Sequence, residues 1–226
     1  MFIHGLRSDM NGNKALALET HCKETGRAFL CFDLTGHGKS SGAFEEGTIG
    51  AWASDVVAVL DELTEGPQIL VGSSLGGWLM LLAALARPGR IAGLMGLAAA
   101  PDFTEDLIYA AFSDAQKAEL VEQGRVLIDD CYGDQPYAIA RGLIEEGRNH
   151  LLLGGPIGIS APTLLIQGQR DEDVPWQTAL TLAEKLVSDK VRVVLHKSGN
   201  HRLSEPEDLQ LIRTNLEYLI YILALD

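Results

Sequence analysis

One short pattern constrains the fold of this chain more than any other feature. Residues 68–78 read Gln-Ile-Leu-Val-Gly-Ser-Ser-Leu-Gly-Gly-Trp and contain G-x-S-x-G as Gly72, Ser74 and Gly76. The pattern directly follows an apolar, β-rich run and directly precedes an apolar helical run. A serine on such a sharp turn projects its hydroxyl above the sheet, and small neighbours let strand and helix pass closely. The pattern predicts a nucleophile at Ser74. The alternatives are a serine that only caps the helix, and Ser73 as the reacting hydroxyl.

Short apolar runs alternate with helical patterns along most of the chain. Strands are predicted at Met1–His4, Ala28–Asp33, Gln68–Gly72, Ala92–Ala98, Thr163–Gln167 and Val191–His196. Helices are predicted at Asn13–Thr25, Thr48–Leu63, Ser74–Ala86, Trp176–Val187 and Pro206–Leu223. Strands that are apolar throughout are typical of a parallel sheet covered on both faces. The alternation predicts an α/β fold with a doubly wound, mostly parallel sheet and right-handed crossovers.

The length of 226 residues suits one domain, spanning residues 1–226. Residues 101–160 break the alternation and are far longer than an ordinary crossover, with helical patches at Ser113–Gln123 and Tyr137–Glu146. We expect this stretch to be a short helical cap insertion over the strand ends. Met1-Phe2-Ile3 passes at once into His4-Gly5, so we expect either a short first strand or a truncated start.

Composition excludes several classes of function. The net charge is −13 and no basic cluster occurs, whereas nucleic-acid binding needs a basic face. No apolar run reaches the roughly 18 residues of a membrane span, and no charged-then-apolar leader opens the chain. The three cysteines show no CxxC spacing, so neither a disulfide framework nor a zinc site is indicated. We therefore expect a protein of a reducing, cytoplasmic setting without nucleic-acid partners.

A nucleophilic serine needs a base, and the base needs a third group to orient it. In a strand-turn-helix fold of this type the order along the chain is serine, acid, histidine. Three of the six histidines precede Ser74, and His150 falls in the insertion. His196 ends a predicted strand, whereas His201 lies in the polar loop just past it, where a base would hang over the sheet. His201 is the favoured base and His196 the alternative.

The acid is expected after the strand that precedes the histidine loop. Asp171, Glu172 and Asp173 are consecutive there, and composition does not choose among them. Asp102, after the strand at 92–98, is another candidate. A solvated loop or a helix cap is the ordinary role of such carboxylates.

An acyl-transfer site also needs donors for the oxyanion. His-Gly at the end of the first strand places the backbone N–H of Leu6 where it supplies half of an oxyanion hole, and Leu75, after the nucleophile, supplies the other half. The side chain of His4 is interpreted as structural.

Taken together, these residues resemble the α/β-hydrolase superfamily from end to end. Within it the chain is similar to the group that contains mycophenolic acid acyl-glucuronide esterase, also described as a palmitoyl-protein thioesterase of the abhydrolase-domain type. The stretches that carry the resemblance are residues 10–17, 66–80, 171–176 and 200–202. Relatives have a leading β-hairpin before the His-Gly strand, and this chain lacks it, so the N-terminal edge strands are expected to be missing.

The resemblance assigns the acid. The family pattern G-x-x-D-x-x-V-P falls on Gly168, Asp171, Val174 and Pro175. It therefore implies a catalytic triad of Ser74, Asp171 and His201, with the N–H groups of Leu6 and Leu75 as the oxyanion hole.

The implied activity is hydrolysis of carboxylic esters or thioesters through an acyl-enzyme on Ser74, with no metal or organic cofactor. The implied substrate is a small ester or thioester, an acyl glucuronide or an S-acylated protein. A small-ester carboxylesterase, a carbon–carbon bond hydrolase and a non-catalytic binding relative are the alternatives. The resemblance also adds a mitochondrial location as the alternative to a cytoplasmic one.

Two sets of residues are candidates for substrate contacts. The first set could line an acyl pocket, and the alternative is that its members are ordinary core residues. It consists of Leu79, Met80, Phe103, Tyr109, Phe112 and Tyr132. Arg7, Arg170 and Arg202 lie beside the proposed site residues in sequence and are hypothesised to meet a glucuronide carboxylate.

Overall fold

The computed structural model describes residues 1–128 and 136–224 and contains a five-stranded parallel sheet flanked by helices. The described strands, in the main sheet and outside it, are β1 (Phe2–Ile3), β2 (Gln68–Ser73), β3 (Ile91–Leu97), β4 (Arg125–Ile128), β5 (Tyr137–Ala140), β6 (Thr163–Gly168) and β7 (Val191–His196). The helices are α1 (Asn13–Glu24), α2 (Ile49–Leu63), α3 (Leu75–Ala86), α4 (Asp114–Gln123), α5 (Arg141–Gly147), α6 (Gln177–Lys185) and α7 (Pro206–Leu223). The main sheet has the order β1-β2-β3-β6-β7, and β4 pairs with β5 in a separate antiparallel ribbon.

The predicted doubly wound parallel sheet is confirmed. One apolar core packs α2, α3 and α6 against one face of the sheet, and a second packs α1 and α7 against the other. This explains why β2, β3 and β6 are mostly apolar, since side chains on both of their faces are buried. Apart from the cases below, the main-sheet strands and their helices end within two residues of the predicted bounds. None of the described helices combines the length and apolar character needed to span a bilayer.

The strand predicted at Ala28–Asp33 is wrong. This segment forms only an isolated parallel bridge between Cys31 and Phe2, with a hydrogen bond from Phe2 N to Leu30 O of 2.8 Å. The physical reason is that β1, its neighbour, has only two residues and offers no longer ladder.

The segment 101–160 is built from more than helices. It holds a π-helical turn at Thr104–Tyr109, then α4, the β4–β5 ribbon and α5. The single helix predicted at Tyr137–Glu146 is wrong in its first half, because Tyr137–Ala140 pairs with Arg125–Ile128 as strand β5 before the chain turns into α5. The helix predicted at Ser113–Gln123 is present as α4, which begins with a capping box formed by Ser113 and Gln116.

Two sets of hydrogen bonds position this segment, one inside it, close to the end of β3, and one to helix α3. The buried carboxylate of Asp102, just after β3, accepts the N–H groups of Leu152 and Leu153 at 2.7–3.0 Å. Trp78 in α3 donates its indole N–H to the carbonyl of His150 at 3.1 Å. These contacts hold the segment over the carboxyl ends of β2 and β3.

Candidate active site

Ser74 forms the sharp turn between β2 and α3. Its backbone has φ 53° and ψ −118°, a conformation that costs a non-glycine residue of order 1–3 kcal/mol. The turn persists because the Ser74 N–H donates to Leu97 O at 3.0 Å, while its carbonyl accepts the N–H groups of Gly77 and Ala100. The strain exposes the hydroxyl above the sheet, as the G-x-S-x-G pattern predicts.

Glycines around Ser74 allow the backbones to approach. A Cβ atom at Gly72 would collide with the backbone carbonyl of Gly76, and one at Gly76 would collide with the carbonyls of Ile3 and His4. The elbow therefore requires glycine at both positions for reasons of space, and α3 packs directly against the end of β1.

A continuous line of hydrogen bonds joins the serine to a histidine and an acid. His201 Nε2 lies 3.0 Å from Ser74 Oγ, and His201 Nδ1 lies 2.8 Å from Asp171 Oδ2. The Asp171 side chain is fully buried, and the His201 side chain retains 16% exposure. The structure thus brings together the three side chains expected to form the triad.

Asp171 is held by several donors besides His201. Its Oδ1 accepts the backbone N–H groups of Asp173 and Val174 at 3.0 and 2.8 Å, and its Oδ2 accepts Gln167 Nε2 at 2.7 Å. These bonds fix the orientation of the Asp171 carboxylate toward the imidazole ring. Because it can only accept, it fixes the proton of His201 on Nδ1 and leaves Nε2 to take the proton of Ser74.

The alternative site residues have other surroundings. Ser73 is buried within β2, and Glu172 is exposed to solvent. Asp102 binds the N–H groups of the segment above it, and burial raises the pKa of this carboxyl. His196 Nδ1 lies 2.8 Å from Asp208 Oδ1, at the first turn of α7, and its Nε2 meets Ser198 Oγ at 3.0 Å. None of these side chains contacts Ser74 Oγ among the described hydrogen bonds.

The two proposed oxyanion donors flank the serine. Leu75 is the first residue of α3, so its N–H has no carbonyl partner within the helix. Leu6 follows Gly5 in a tight turn, closed by a bond of 3.2 Å from Ser8 N to Gly5 O, and lines the same cavity as Ser74. Neither N–H group donates elsewhere among the described hydrogen bonds, which is consistent with the oxyanion role expected from the sequence.

The side chain of His4 shapes the turn that carries Leu6. Its Nε2 accepts the N–H of Leu34 at 3.2 Å, so its Nδ1 carries the proton and donates to Gly5 O at 2.8 Å. Burial lowers the pKa of His4, which favours this neutral form. His4 thus has the structural role that the sequence indicated.

A cavity of about 560 Å³ opens beside Ser74, and its lining is mixed. Arg7, Arg202, Glu172 and Asp173 are its charged members, and we call it the apolar cavity after its other wall. Its apolar wall comes largely from the 101–160 segment and the loop after β6, and includes Ala100, Phe103, Leu107, Ile108, Ile128 and Val174. Of the residues predicted for an acyl pocket, Phe103 lines this cavity, and Leu79, Met80 and Phe112 are buried core. Tyr109 is not part of its lining, and Tyr132 lies outside the described residues.

A second cavity of about 300 Å³ also opens beside Ser74, and we call it the polar cavity because it contains Lys14; Arg7 and Arg202 line both cavities. Its wall includes Arg7, Lys14 and Arg202, with Asp9 as an acidic member. Lys14 Nζ donates to the carbonyl of Arg202, and burial, together with the charge of Arg202, lowers the pKa of Lys14 to about 8. Arg7 and Arg202 thus lie at the site as hypothesised, whereas Arg170 lines neither cavity.

Sequence reasoning missed Lys14, Gln167 and the His196–Asp208 pair. Their contacts join residues of different loops and helices, and no spacing in the sequence signals them. One group of possible metal ligands, Asp171, Asp173 and His201, has its ligand atoms within 4.8 Å of one another. Hydrogen bonds among these residues and their neighbours already occupy Asp171 and His201, which suits a proton relay better than a cation site.

Known proteins resemble this chain over nearly its whole length. A family model described as alpha/beta hydrolase fold matches residues 1–122. Palmitoyl-protein thioesterase ABHD10 of Mus musculus, named a mitochondrial protein, is 44% identical over 97% of this chain and 74% of its own length. The Homo sapiens protein of the same name is 42% identical over 97% of this chain and 72% of its own.

Two solved structures show the same similarity. A protein from Agrobacterium vitis S4 has a TM-score of 0.94 and 39% identity, covering 97% of this chain and 86% of its own. Alpha/beta hydrolase domain-containing protein 10 from mouse has a TM-score of 0.91 and 43% identity, covering 98% and 89%.

Proposed function

The chain belongs to the alpha/beta hydrolase family and is a hydrolase, and from this premise we propose that it cleaves thioesters and esters through an acyl-enzyme on Ser74. The observation that carries the proposal is the line of hydrogen bonds from Ser74 Oγ through His201 to Asp171, at 3.0 and 2.8 Å. A serine so placed has a base and an orienting acid within reach.

The mechanism follows from the roles these groups take. His201 Nε2 accepts the Ser74 proton as the hydroxyl oxygen bonds to the acyl carbon, and Asp171 stabilises the imidazolium that forms. The N–H groups of Leu6 and Leu75 stabilise the oxyanion, an effect worth roughly 100- to 1000-fold per donor. The carbon–sulfur or carbon–oxygen bond then breaks, and the leaving group takes the proton from His201. Water, deprotonated by His201, attacks the acyl-enzyme and releases the acid.

The apolar cavity favours a long acyl chain as the acid part of the substrate. Its walls of Phe103, Leu107 and Ile108 remove methylene groups from water, worth up to about 0.8 kcal/mol for each buried group. The relatives at 42–44% identity are named palmitoyl-protein thioesterases. We therefore take an S-acylated protein cysteine as the first substrate class, with small carboxylic esters as the alternative.

The polar cavity supports a second candidate, an ester whose leaving group carries a carboxylate, such as an acyl glucuronide. Arg7, Lys14 and Arg202 give this cavity an excess of positive charge. Lys14→Met is expected to lower kcat/KM for an ester of 4-hydroxybenzoate but not for the matched neutral phenyl ester. In the wild type this preference for the anion should weaken as the pH rises through about 8, where Lys14 loses its proton. Equal effects on both esters would contradict an anion-binding role.

Two further assignments belong to the proposal. Residues 101–160 act as the cap of one domain spanning 1–226, and the support for this is that Phe103, Leu107, Ile108 and Ile128 of the segment line a cavity together with Ser74. The names of the relatives favour a mitochondrial location, and they give no support to the expected cytoplasmic one.

The deciding experiment is hydrolysis of p-nitrophenyl esters from acetate to palmitate by the wild type and by Ser74→Ala. Activity that rises with chain length and disappears in the variant supports a long-chain thioesterase, and a maximum at short chains supports a small-ester esterase. A fluorophosphonate probe should label Ser74 in the wild type. A folded protein with no labelling and no Ser74-dependent turnover would instead indicate a non-catalytic binding relative.

A further inference from the structure

Gln167, the penultimate residue of strand β6, is a polar side chain buried beside Asp171. Its side chain lies in the interior, with 1% of the residue exposed. Its Nε2 donates to Asp171 Oδ2 at 2.7 Å and to the carbonyl of Val174 at 3.2 Å. Its Oε1 has no hydrogen-bond partner among the described residues. Since two acceptors face Nε2, the network itself fixes which way the amide points.

The oxygen that Gln167 binds is the one that holds the histidine. Asp171 Oδ2 accepts both Gln167 Nε2 and His201 Nδ1, whereas the backbone N–H groups of the loop bind only Oδ1. A hydrogen bond to a charged group is worth about 1.5–3 kcal/mol, and an oxygen shared by two donors gives less electron density to each. Gln167 therefore shares its acceptor atom with His201 and weakens that oxygen as an acceptor for the imidazole N–H.

We propose that Gln167 is a positioning residue that orients Asp171 and sets how strongly this carboxylate stabilises the His201 imidazolium. The inference rests on the proposed function, because it needs Asp171 and His201 to act as acid and base. Other charged groups near Asp171 are Asp173, on the same loop, and Lys14, on α1. Neither donates a side-chain hydrogen bond to Oδ2 among the described contacts, so the amide of Gln167 is the group to test.

Gln167→Met removes the donor and keeps the length and shape of the side chain. Asp171 then becomes a stronger acceptor for His201, and the midpoint of the acidic limb of the kcat/KM profile should rise by about half to one pH unit. Loss of the anchor should lower kcat about tenfold, with KM nearly unchanged. Gln169→Met is the matched control: Gln169 is exposed in the same loop, so its profile should match the wild type.

Gln167→Glu tests the same idea from the opposite direction. A buried carboxyl next to Asp171 cannot ionise freely, because two carboxylates share the site. While protonated it donates an O–H to Oδ2, so activity at acidic pH should lie within about threefold of the wild type. Activity should fall as this group loses its proton, which gives a basic limb absent from the wild type. This variant also tests the proposal if the methionine variant fails to fold.

The outcomes separate the two levels of the argument. If the wild type shows no Ser74-dependent turnover, the proposed function fails and the inference with it. If the wild type is active and both Gln167 variants keep its pH profile and kcat, the inference alone is overturned. A loss of activity in Gln167→Glu that is equal at every pH would also overturn it, because a merely structural defect has no pH signature.

Discussion

His201 Nε2 lies 3.0 Å from Ser74 Oγ, although 127 positions of sequence separate the two residues. Ser74 follows β2 and His201 follows β7, and β3 and β6 lie between these strands in the sheet. All of these strands run parallel, so the loops after them meet at one edge. The contact therefore depends on the strand order, and local sequence at either residue does not specify it.

The Asp171–His201 pair gives the most direct prediction for activity. Asp171→Asn should lower kcat by about four orders of magnitude, because an amide stabilises the wrong imidazole tautomer and does not stabilise the imidazolium. Glu184→Gln is the matched control, since Glu184 is exposed on α6, lines neither cavity and should keep wild-type kcat. The prediction is tested by comparing the rates of p-nitrophenyl ester hydrolysis of the variants and the wild type, with circular dichroism as a check on folding. Wild-type turnover by the Asp171 variant would contradict the assigned role.

The contact between Gly76 and β1 gives a prediction for stability. Gly76→Ala places a methyl group against the backbone carbonyl of Ile3, and a backbone cannot move aside as a flexible side chain does. We expect the free energy of unfolding to fall by about 1–3 kcal/mol, with loss of activity as the turn carrying Leu6 shifts. Gly89→Ala should change neither, because its Cβ would meet open space. Urea denaturation measures the free energy of unfolding of both variants. Equal stabilities of the two variants would contradict the close packing of the elbow on β1.

Much of this fold could be predicted because its signals are local. Gly72, Ser74 and Gly76 mark the elbow within five residues, and the buried strands are mostly apolar. The strand predicted at 28–33 failed because its pairing depends on the length of β1, which is a property of another segment. The β4–β5 ribbon was missed for the same reason, since Tyr137–Ala140 is a strand only through its partner.

The candidate site shows the same limit. The resemblance distinguished Asp171 from Glu172 and Asp173, which composition alone could not do. Neither the contact of Gln167 nor that of Lys14 could be predicted from the sequence. Gln167 binds the carboxylate of Asp171 and Lys14 binds the carbonyl of Arg202, and only folding brings these groups together.

Two buried histidines predict how stability depends on pH. Burial lowers the pKa of His4 and of His37, whose rings lie 5.0 Å apart. A folded-state pKa below the ordinary value of 6.5 means that the unfolded chain binds protons first as the pH falls. The two neutral rings therefore contribute their full free energy of stabilisation above about pH 6.5. This contribution falls as the pH is lowered below that value.

His37→Asn should flatten this dependence. The amide keeps a donor for Thr35 O, which His37 Nδ1 meets at 3.3 Å, and removes the titrating ring. Urea unfolding at neutral pH and near pH 5 should show a smaller loss of stability for the variant, even if it is less stable at both. His21→Asn is the control, because the half-buried His21 pairs with Glu217 near the surface. An unchanged slope in the His37 variant would refute the argument.

The apolar cavity gives a prediction for selectivity between acyl chains. Ile108→Trp should fill part of this cavity, which Ile108 lines from the segment above Ser74. Displacing about four methylene groups back into water costs roughly 3 kcal/mol, so kcat/KM for the palmitoyl ester should fall about a hundredfold. The acetyl ester does not reach this depth, and its kcat/KM should stay within about twofold of the wild type.

Val121→Trp supplies the comparison for that change. Val121 is 66% exposed on α4, in the same segment but outside the cavity lining, so this variant should leave both esters unaffected. The ratio of the two kcat/KM values is the quantity to measure, because it cancels any general loss of folded enzyme. An equal fall for acetyl and palmitoyl esters in Ile108→Trp would mean that the acyl chain lies elsewhere, and the polar cavity beside Lys14 would then be the next place to test.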